Sequence, residues 1–310
     1  MIAVVGGGLI GGSVAFELAQ GGADVVILDA DKAGAAWPAG AGMLTPLGER
    51  LGGTSLEPLA AASLRLWPDF ARRLREASGL EVPFRPGIEH VPYPDAAPAE
   101  RPTTDPQEAT THPPSVVRAA RQGLELRRAE VLGLEPLRGG VRVHVLAEGG
   151  TPSRFTADQV ILAAGAWSGR FGLPVFPVRG QALLLPLQAL PARYSRKARG
   201  FPLYGLPRPD GLYVGATVRP HSWHPQALPS DARWLRQGAR LLWPGPQGLQ
   251  GGAGLEGRSL VGLRPVTADD LPIIAPLAGW EGRVWAATGH GRHGALLAPY
   301  TAHKVAETLL

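Results

Sequence analysis

At 310 residues the chain can bury one large α/β core or two smaller ones, and its 45% hydrophobic and 18% charged content excludes a disordered or fibrous protein. The absence of cysteine excludes disulfide scaffolds, thiolate metal sites, cysteine nucleophiles and any cofactor tethered through cysteine. The net charge of +5 is carried by arginine, with lysine only at positions 32, 197 and 304. Those arginines are scattered and lack interleaved aromatics, so a solvated arginine surface is expected and a nucleic-acid patch is not.

The first thirty residues are apolar, but five glycines break the run between Gly6 and Gly12 and Glu17 lies inside it. No basic segment precedes it. Neither a targeting peptide nor a membrane span is expected, and the composition fits the reducing cytoplasm. The same residues read as strand (Ile2 to Val5), glycine turn, helix (period Val14, Ala15, Leu18, Ala19) and second strand (Val25 to Leu28) ending at Asp29.

The turn is Gly6-x-Gly8-x-x-Gly11. Gly6 permits the sharp bend, Gly8 lets backbone approach a pyrophosphate, and Gly11 lets helix and strand pack closely. The helix N-terminus offers free N–H groups and the positive end of its dipole to phosphate. Asp29 stands where a ribose hydroxyl would donate to it, and its charge disfavours a 2′-phosphate. A strand before, a helix after and an acid at the right distance together point to a dinucleotide site.

Residues 34–44, GAAWPAGAGML, are rich in small side chains, suited to close backbone approach to a flat ligand and unsuited to a core. Residues 55–78 carry a helical apolar stripe, which Pro68 is expected to kink or divide. Residues 92–114 contain seven prolines and read as an extended arm between domains. A short helix over 115–121 follows, then short strands around the turn Arg138-Gly139-Gly140 and a buried strand over 160–163. Strands and turns fill 176–218, a helix is expected over 230–242, and strands over 258–266 and 283–287.

Close to the chain's end stands ATGHGRHGALLAP, residues 287–299. His290-x-x-His293, like His221-x-x-His224, has metal-like spacing, but no carboxylate lies close by in sequence. A metal is not expected.

In order along the chain, GGGLIGGSVAFELA, AGML, AAGAWSG, VRGQ, YGLPR, VGAT, GLRP and GHGRHGALLAP resemble the FAD-dependent D-amino acid oxidase superfamily, most closely its glycine oxidase (ThiO-type) branch. The resemblance implies an α/β fold of mixed α+β character. A Rossmann-like FAD-binding domain would be assembled from residues 1–80, 112–175 and 258–310. A smaller mixed-sheet substrate domain would take 81–111 and 176–257. It implies FAD contacts from Gly6, Gly8, Leu9, Ile10, Gly11 and Asp29, from Ala41, Gly42 and Met43 beside the isoalloxazine, and from Val131, Gly165 and the closing loop His290, Gly291, Arg292, His293, Gly294, Ala295 and Leu296.

By family position Arg264 of GLRP clamps the substrate carboxylate, Tyr204 of YGLPR is a second contact, and Arg292 lies near the substrate. The implied reaction is hydride transfer from glycine to noncovalent FAD, giving an imine, with O2 reduced to H2O2. Glycine oxidases of this type supply the imine for thiamine thiazole synthesis. No dedicated base is required, because the amine can lose its proton before the hydride leaves. Sarcosine or small D-amino acids as substrates, an acceptor other than O2, a non-catalytic flavin-binding subunit and a homo-oligomer stay open. An NAD-dependent reductase is disfavoured, since it has no use for GHGRHG. No lysine lies near an active-site anchor, unlike in the sarcosine oxidases.

Overall fold

The computed structural model describes residues 1–92, 103–187, 192–198, 201–242 and 256–310. In chain order the elements are β1 (Ile2–Val5), α1 (Leu9–Gln20), β2 (Val25–Asp29), β3 (Met43–Leu44), α2 (Glu57–Ser78), β4 (Phe84–Pro86), β5 (Glu89–Pro92), β6 (Thr103–Thr104), β7 (Ala109–Thr111) and α3 (Pro113–Arg121). Then come β8 (Glu125–Leu137), β9 (Gly140–Ala147), β10 (Pro152–Ala157), β11 (Gln159–Leu162), β12 (Phe176–Leu185), β13 (Ala192–Ala198), β14 (Phe201–Arg208), β15 (Gly211–Gly215) and β16 (Arg219–Pro220). The chain closes with α4 (Pro229–Leu242), β17 (Arg258–Val266), β18 (Ile273–Pro276), β19 (Val284–Thr288) and α5 (Gly294–Leu309).

The first sheet runs β10-β9-β8-β2-β1-β11-β19-β18, with a parallel centre, β8-β2-β1-β11-β19. Parallel strands need both faces covered, which is why β1 reads as an unbroken apolar run. Val14, Ala15 and Leu18 of α1 and Ala302 and Val305 of α5 cover one face, against Ile2, Val4 and Ile27. Val131, Val141 and Val143 of the β8–β9 hairpin cover the other, against Ala3, Val5 and Val26.

The second sheet runs β16-β12-β15-β14-β13-β5-β6, with β17 paired along its length to β12. Its side chains alternate as a half-buried sheet requires. Leu183, Leu185, Leu203 and Val214 pack under Leu235 and Ala239 of α4. The opposite face bears Val178, Gly180, Tyr204 and Tyr213 and looks into the large cavity described below. A small third sheet, β3-β7-β4, lies beside them.

Several expectations change. Pro68 does not divide the helix, since it sits inside the single helix α2. It forfeits one backbone hydrogen bond, but Trp67, Phe70 and Leu74 are fully buried around it. Each buries apolar area worth roughly 1.5–3 kcal/mol, and Trp67 meets Phe70 edge-to-face at 5.6 Å. Residues 34–44 do contribute to a core, because Leu44 is fully buried and Ala41 is buried. Part of the proline-rich arm, residues 93–102, lies outside the described residues; its C-terminal part is not an open arm, since Ala109–Thr111 is a buried strand. The short strands after α3 are one thirteen-residue strand and its hairpin partner, and β10 and β18 went unforeseen.

The arginines are not all solvated. Arg179 is completely buried, donating to Asp231 Oδ2 at 2.8 Å and Gln181 Oε1 at 2.8 Å, and so ties β12 to the start of α4. Among the described residues no helix is long and apolar enough to cross a membrane.

Candidate active site

A cavity of about 1070 Å³ lies between the C-terminal ends of β1, β2 and β11 and the inner face of the second sheet. Pockets for single small molecules run to roughly 300–1,000 Å³, so this one has room for a dinucleotide and a substrate. Every proposed site residue lines it except Gly11.

Gly11 lies just behind the wall. A Cβ there would stand 1.8 Å from the Gly6 carbonyl oxygen, so α1 can approach β1 only through glycine. Gly6 has φ +93°, and a Cβ on it would meet the Ala163 oxygen at 2.5 Å. Gly8 is the N-cap of α1. The turn therefore presents bare backbone and a helix N-terminus to the cavity, a cradle that side chains would fill. The bare backbone and the helix N-terminus fit the pyrophosphate of an FAD.

Asp29 is more heavily engaged than its sequence position suggests. Its Oδ2 accepts from the Gly7 N–H at 3.1 Å and from the Arg121 guanidinium at 2.5 Å, while Oδ1 accepts from the Asp31 N–H at 2.9 Å. Arg121 also donates through Nε to the Gly7 carbonyl and lies against the Trp37 ring. This clamp from α3 fixes the phosphate turn to the tip of β2. It also offsets the charge of Asp29, so repulsion of a 2′-phosphate is weaker than expected. Lys32 lines this end of the cavity too, held by Glu130 at 2.9 Å.

The far end is lined from the second sheet. Arg264 projects from β17 and its guanidinium lies on Gly180 of β12, where a Cβ would meet Nη1 at 2.1 Å. Its hydrogen bond to the Thr217 carbonyl is long, 3.4 Å, and among the described residues it forms no ion pair. Tyr204 stacks on Tyr213 with centroids 5.9 Å apart, and Tyr213 donates to the Ala39 carbonyl at 3.2 Å. Burial first, then the neighbouring Tyr213, push the Tyr204 phenol well above its ordinary pKa, so it stays an O–H donor.

The closing loop reaches the cavity between β19 and α5. Ser63 Oγ donates to the Leu296 carbonyl at 2.6 Å and Trp67 Nε1 at 3.1 Å, fastening the first turn of α5 to α2. Gly291, at φ +53°, turns the chain here. His290 shares a 2.8 Å hydrogen bond with Thr301, and burial pulls its pKa to about 3. Burial likewise pulls His293 to about 4. Both imidazoles are neutral at ordinary pH.

Arg292 lines the rim. Its Nε is 2.7 Å from Glu49 Oε2, and its side chain is 57% exposed against 13% for Glu49. Sequence reasoning missed Glu49, Arg121 and Arg193. Arg193 is one of the arginines expected on a solvated surface, yet it sits over the Tyr204 ring at 5.1 Å and lines the cavity. The period-two pair Arg193 and Ser195, both facing inward, was the available signal.

A family model described as FAD dependent oxidoreductase, DAO, matches residues 1–102 and 102–308. The glycine oxidase of Pseudomonas aeruginosa is 30% identical over 355 aligned residues, covering 99% of this chain and 94% of that protein. A bifunctional ThiO/ThiG protein of Synechocystis is 29% identical across the whole chain, which spans 51% of its length. The crystal structure of glycine oxidase from Geobacillus kaustophilus superposes with a TM-score of 0.82 at 26% identity, covering 99% of this chain and 93% of that one.

Proposed function

Given that the chain belongs to the DAO family of FAD-dependent oxidoreductases, we propose that it is an oxidase of small amino acids whose substrate is glycine or a close N-substituted relative. The carrying observation is Arg264, a guanidinium with no carboxylate partner among the described residues, aimed into a cavity whose other end is a dinucleotide cradle. A planar, permanently charged guanidinium matches a carboxylate in bidentate geometry.

When bound, FAD supplies the electron acceptor, taking the hydride from the substrate Cα and giving H2O2 with O2. The protein's contribution is positioning and exclusion of water. Arg264 holds the carboxylate and Tyr204 donates its O–H beside it. Tyr213 bonds the Ala39 carbonyl, so the same pair of rings steadies the loop that carries Ala41, Gly42 and Met43. Neutral His290 and His293 close the site without adding charge. The amine loses its proton to solvent before reaction, and no side chain is required as a base.

Arg292 is assigned a lesser role than its place in the loop suggested. Glu49 already takes its charge, so it closes the rim more than it grips substrate. The discontinuous two-domain division is retained, with the boundary near 258 moved beyond β17, because β17 pairs throughout with β12. A cytoplasmic location and supply of an imine to thiazole synthesis belong to the same reading. Reconstitution with FAD, then anaerobic addition of glycine, sarcosine, D-alanine and D-proline, tests the function and ranks the substrates; a protein that binds no flavin refutes it.

A further inference from the structure

A glycine-sized substrate has one carboxylate and needs one guanidinium, yet among the described residues the inner face of the second sheet carries two. Strand order sets them on opposite sides of Tyr204. Arg264 comes from β17 through β12 and β15, while Arg193 comes from β13, the neighbour of β14 on the other side. The four strand steps between β17 and β13 separate their backbones by roughly 19 Å at about 4.8 Å per step, and both side chains reach inward over that gap into one cavity.

Arg193 lacks the partners that a structural arginine has here. Buried Arg179 is held by Asp231, and buried Arg208 by Asp210 at 2.8 Å. By contrast, the Nε of Arg193 is buried with no hydrogen-bond partner, and among the described residues its guanidinium forms no ion pair. Among the described residues the Tyr204 ring lies 5.1 Å from its Cζ. Glu49, which like Arg193 acts electrostatically on Tyr204, is paired with Arg292. A half-buried cation without a counter-charge is costly unless a ligand brings one.

We propose that Arg193 is a second anion subsite, and that the pocket favours small amino acids bearing two acidic groups, above all N-substituted glycines whose substituent ends in a carboxylate. The inference rests on the oxidase reading: Arg264 holds the α-carboxylate, and the distal acid lies across the Tyr204 ring against Arg193. A neutral N-substituent leaves Arg193 unmatched.

Two measurements on the FAD-reconstituted protein test this. In turnover, the ratio of kcat/KM for iminodiacetate to that for sarcosine should exceed ten, fall tenfold or more in Arg193→Met, and be partly restored in Arg193→Lys. In calorimetry, the unreactive dicarboxylate glutarate should bind at least tenfold more tightly than valerate, and Arg193→Met should erase the difference. If Arg193 merely supports the Tyr204 ring, Arg193→Met lowers activity on both substrates equally and the ratios stay fixed, which overturns the subsite. Calorimetry keeps the two claims apart. Failure of every amino acid to reduce the flavin defeats the oxidase reading, whereas equal glutarate and valerate binding defeats Arg193 alone.

Discussion

Arg292 Nε and Glu49 Oε2 stand 2.7 Å apart although 243 residues separate them in the chain. The contact joins the closing loop to the segment after β3 at the rim of the cavity, and it decides how the arginines share the work. With Arg292 57% exposed, solvent screens this pair and it is worth about 1 kcal/mol or less. Replacing Arg292 with Met should therefore raise KM for glycine by no more than about fivefold. Losing a guanidinium that holds a desolvated carboxylate costs about 2–5 kcal/mol, so Arg264→Met should raise KM by thirtyfold or more with FAD still bound. Steady-state kinetics on the two variants separate the roles, and equal losses would refute the assignment.

The glycine turn predicts a sharp contrast between neighbours. Gly11→Ala would drive a Cβ to 1.8 Å from the Gly6 oxygen and force α1 away from β1. At Gly12 the added Cβ meets only ordinary contacts, 3.5 Å from the Gly7 oxygen and 3.6 Å from Ala120 Cβ. In a helix interior Gly→Ala gains roughly 0.5–1 kcal/mol. Gly11→Ala should weaken FAD binding at least tenfold and lower Tm, while Gly12→Ala should retain FAD and hold or raise Tm. Fluorescence titration with FAD and thermal melts read both effects.

Acid should loosen the closing loop. His290 and His293 titrate near 3 and 4 in the folded protein, because burial disfavours their charge, and near 6.5 when unfolded. The unfolded state thus binds more protons across that interval. The stabilisation is complete above about pH 6.5 and lost as pH falls toward 4, at about 1.4 kcal/mol per pH unit for each histidine. His290→Gln should make denaturant-derived stability less steep between pH 6 and 4 by about one proton's worth. An unchanged slope would mean that His290 is protonated in the folded protein.

Ser63 fastens α5 to α2 from a single hydroxyl, donating to the Leu296 carbonyl and accepting from the Tyr300 N–H at 3.2 Å. Ser63→Ala leaves the Tyr300 N–H without that acceptor, and Trp67 Nε1 still holds Leu296. The expected cost is about 1–3 kcal/mol, seen as a lower Tm and as faster proteolysis within residues 289–296. A melt matching the wild type would show that this fastening is redundant.

Local patterns were legible in the sequence where one element carries the whole signal. The β1-turn-α1-β2 unit was read to within a residue or two, because unbroken apolar strands, a glycine turn and a helical period are all local. The cavity-lining positions Tyr204, Arg264 and His290 to Leu296 came from motif order. What stayed hidden were pairings made by the fold across long separations. Arg121 reaches Asp29 over 92 residues, and Glu49 meets Arg292 only because the third sheet brings residues after β3 to the rim. Arg193 faces inward only through the phase of β13, set by its pairing with β14 and β5, and Pro68 is tolerated because of packing that the helical stripe did not quantify. The burial of Leu44 likewise depends on β7, a partner found far along the chain.

The most direct test of the central claim is anaerobic addition of glycine to the FAD-reconstituted protein, followed by air. The flavin absorbance should bleach and then return, with one H2O2 and one ammonia formed per glycine consumed. A flavin that stays oxidised with glycine, sarcosine, iminodiacetate and D-amino acids alike would contradict the account.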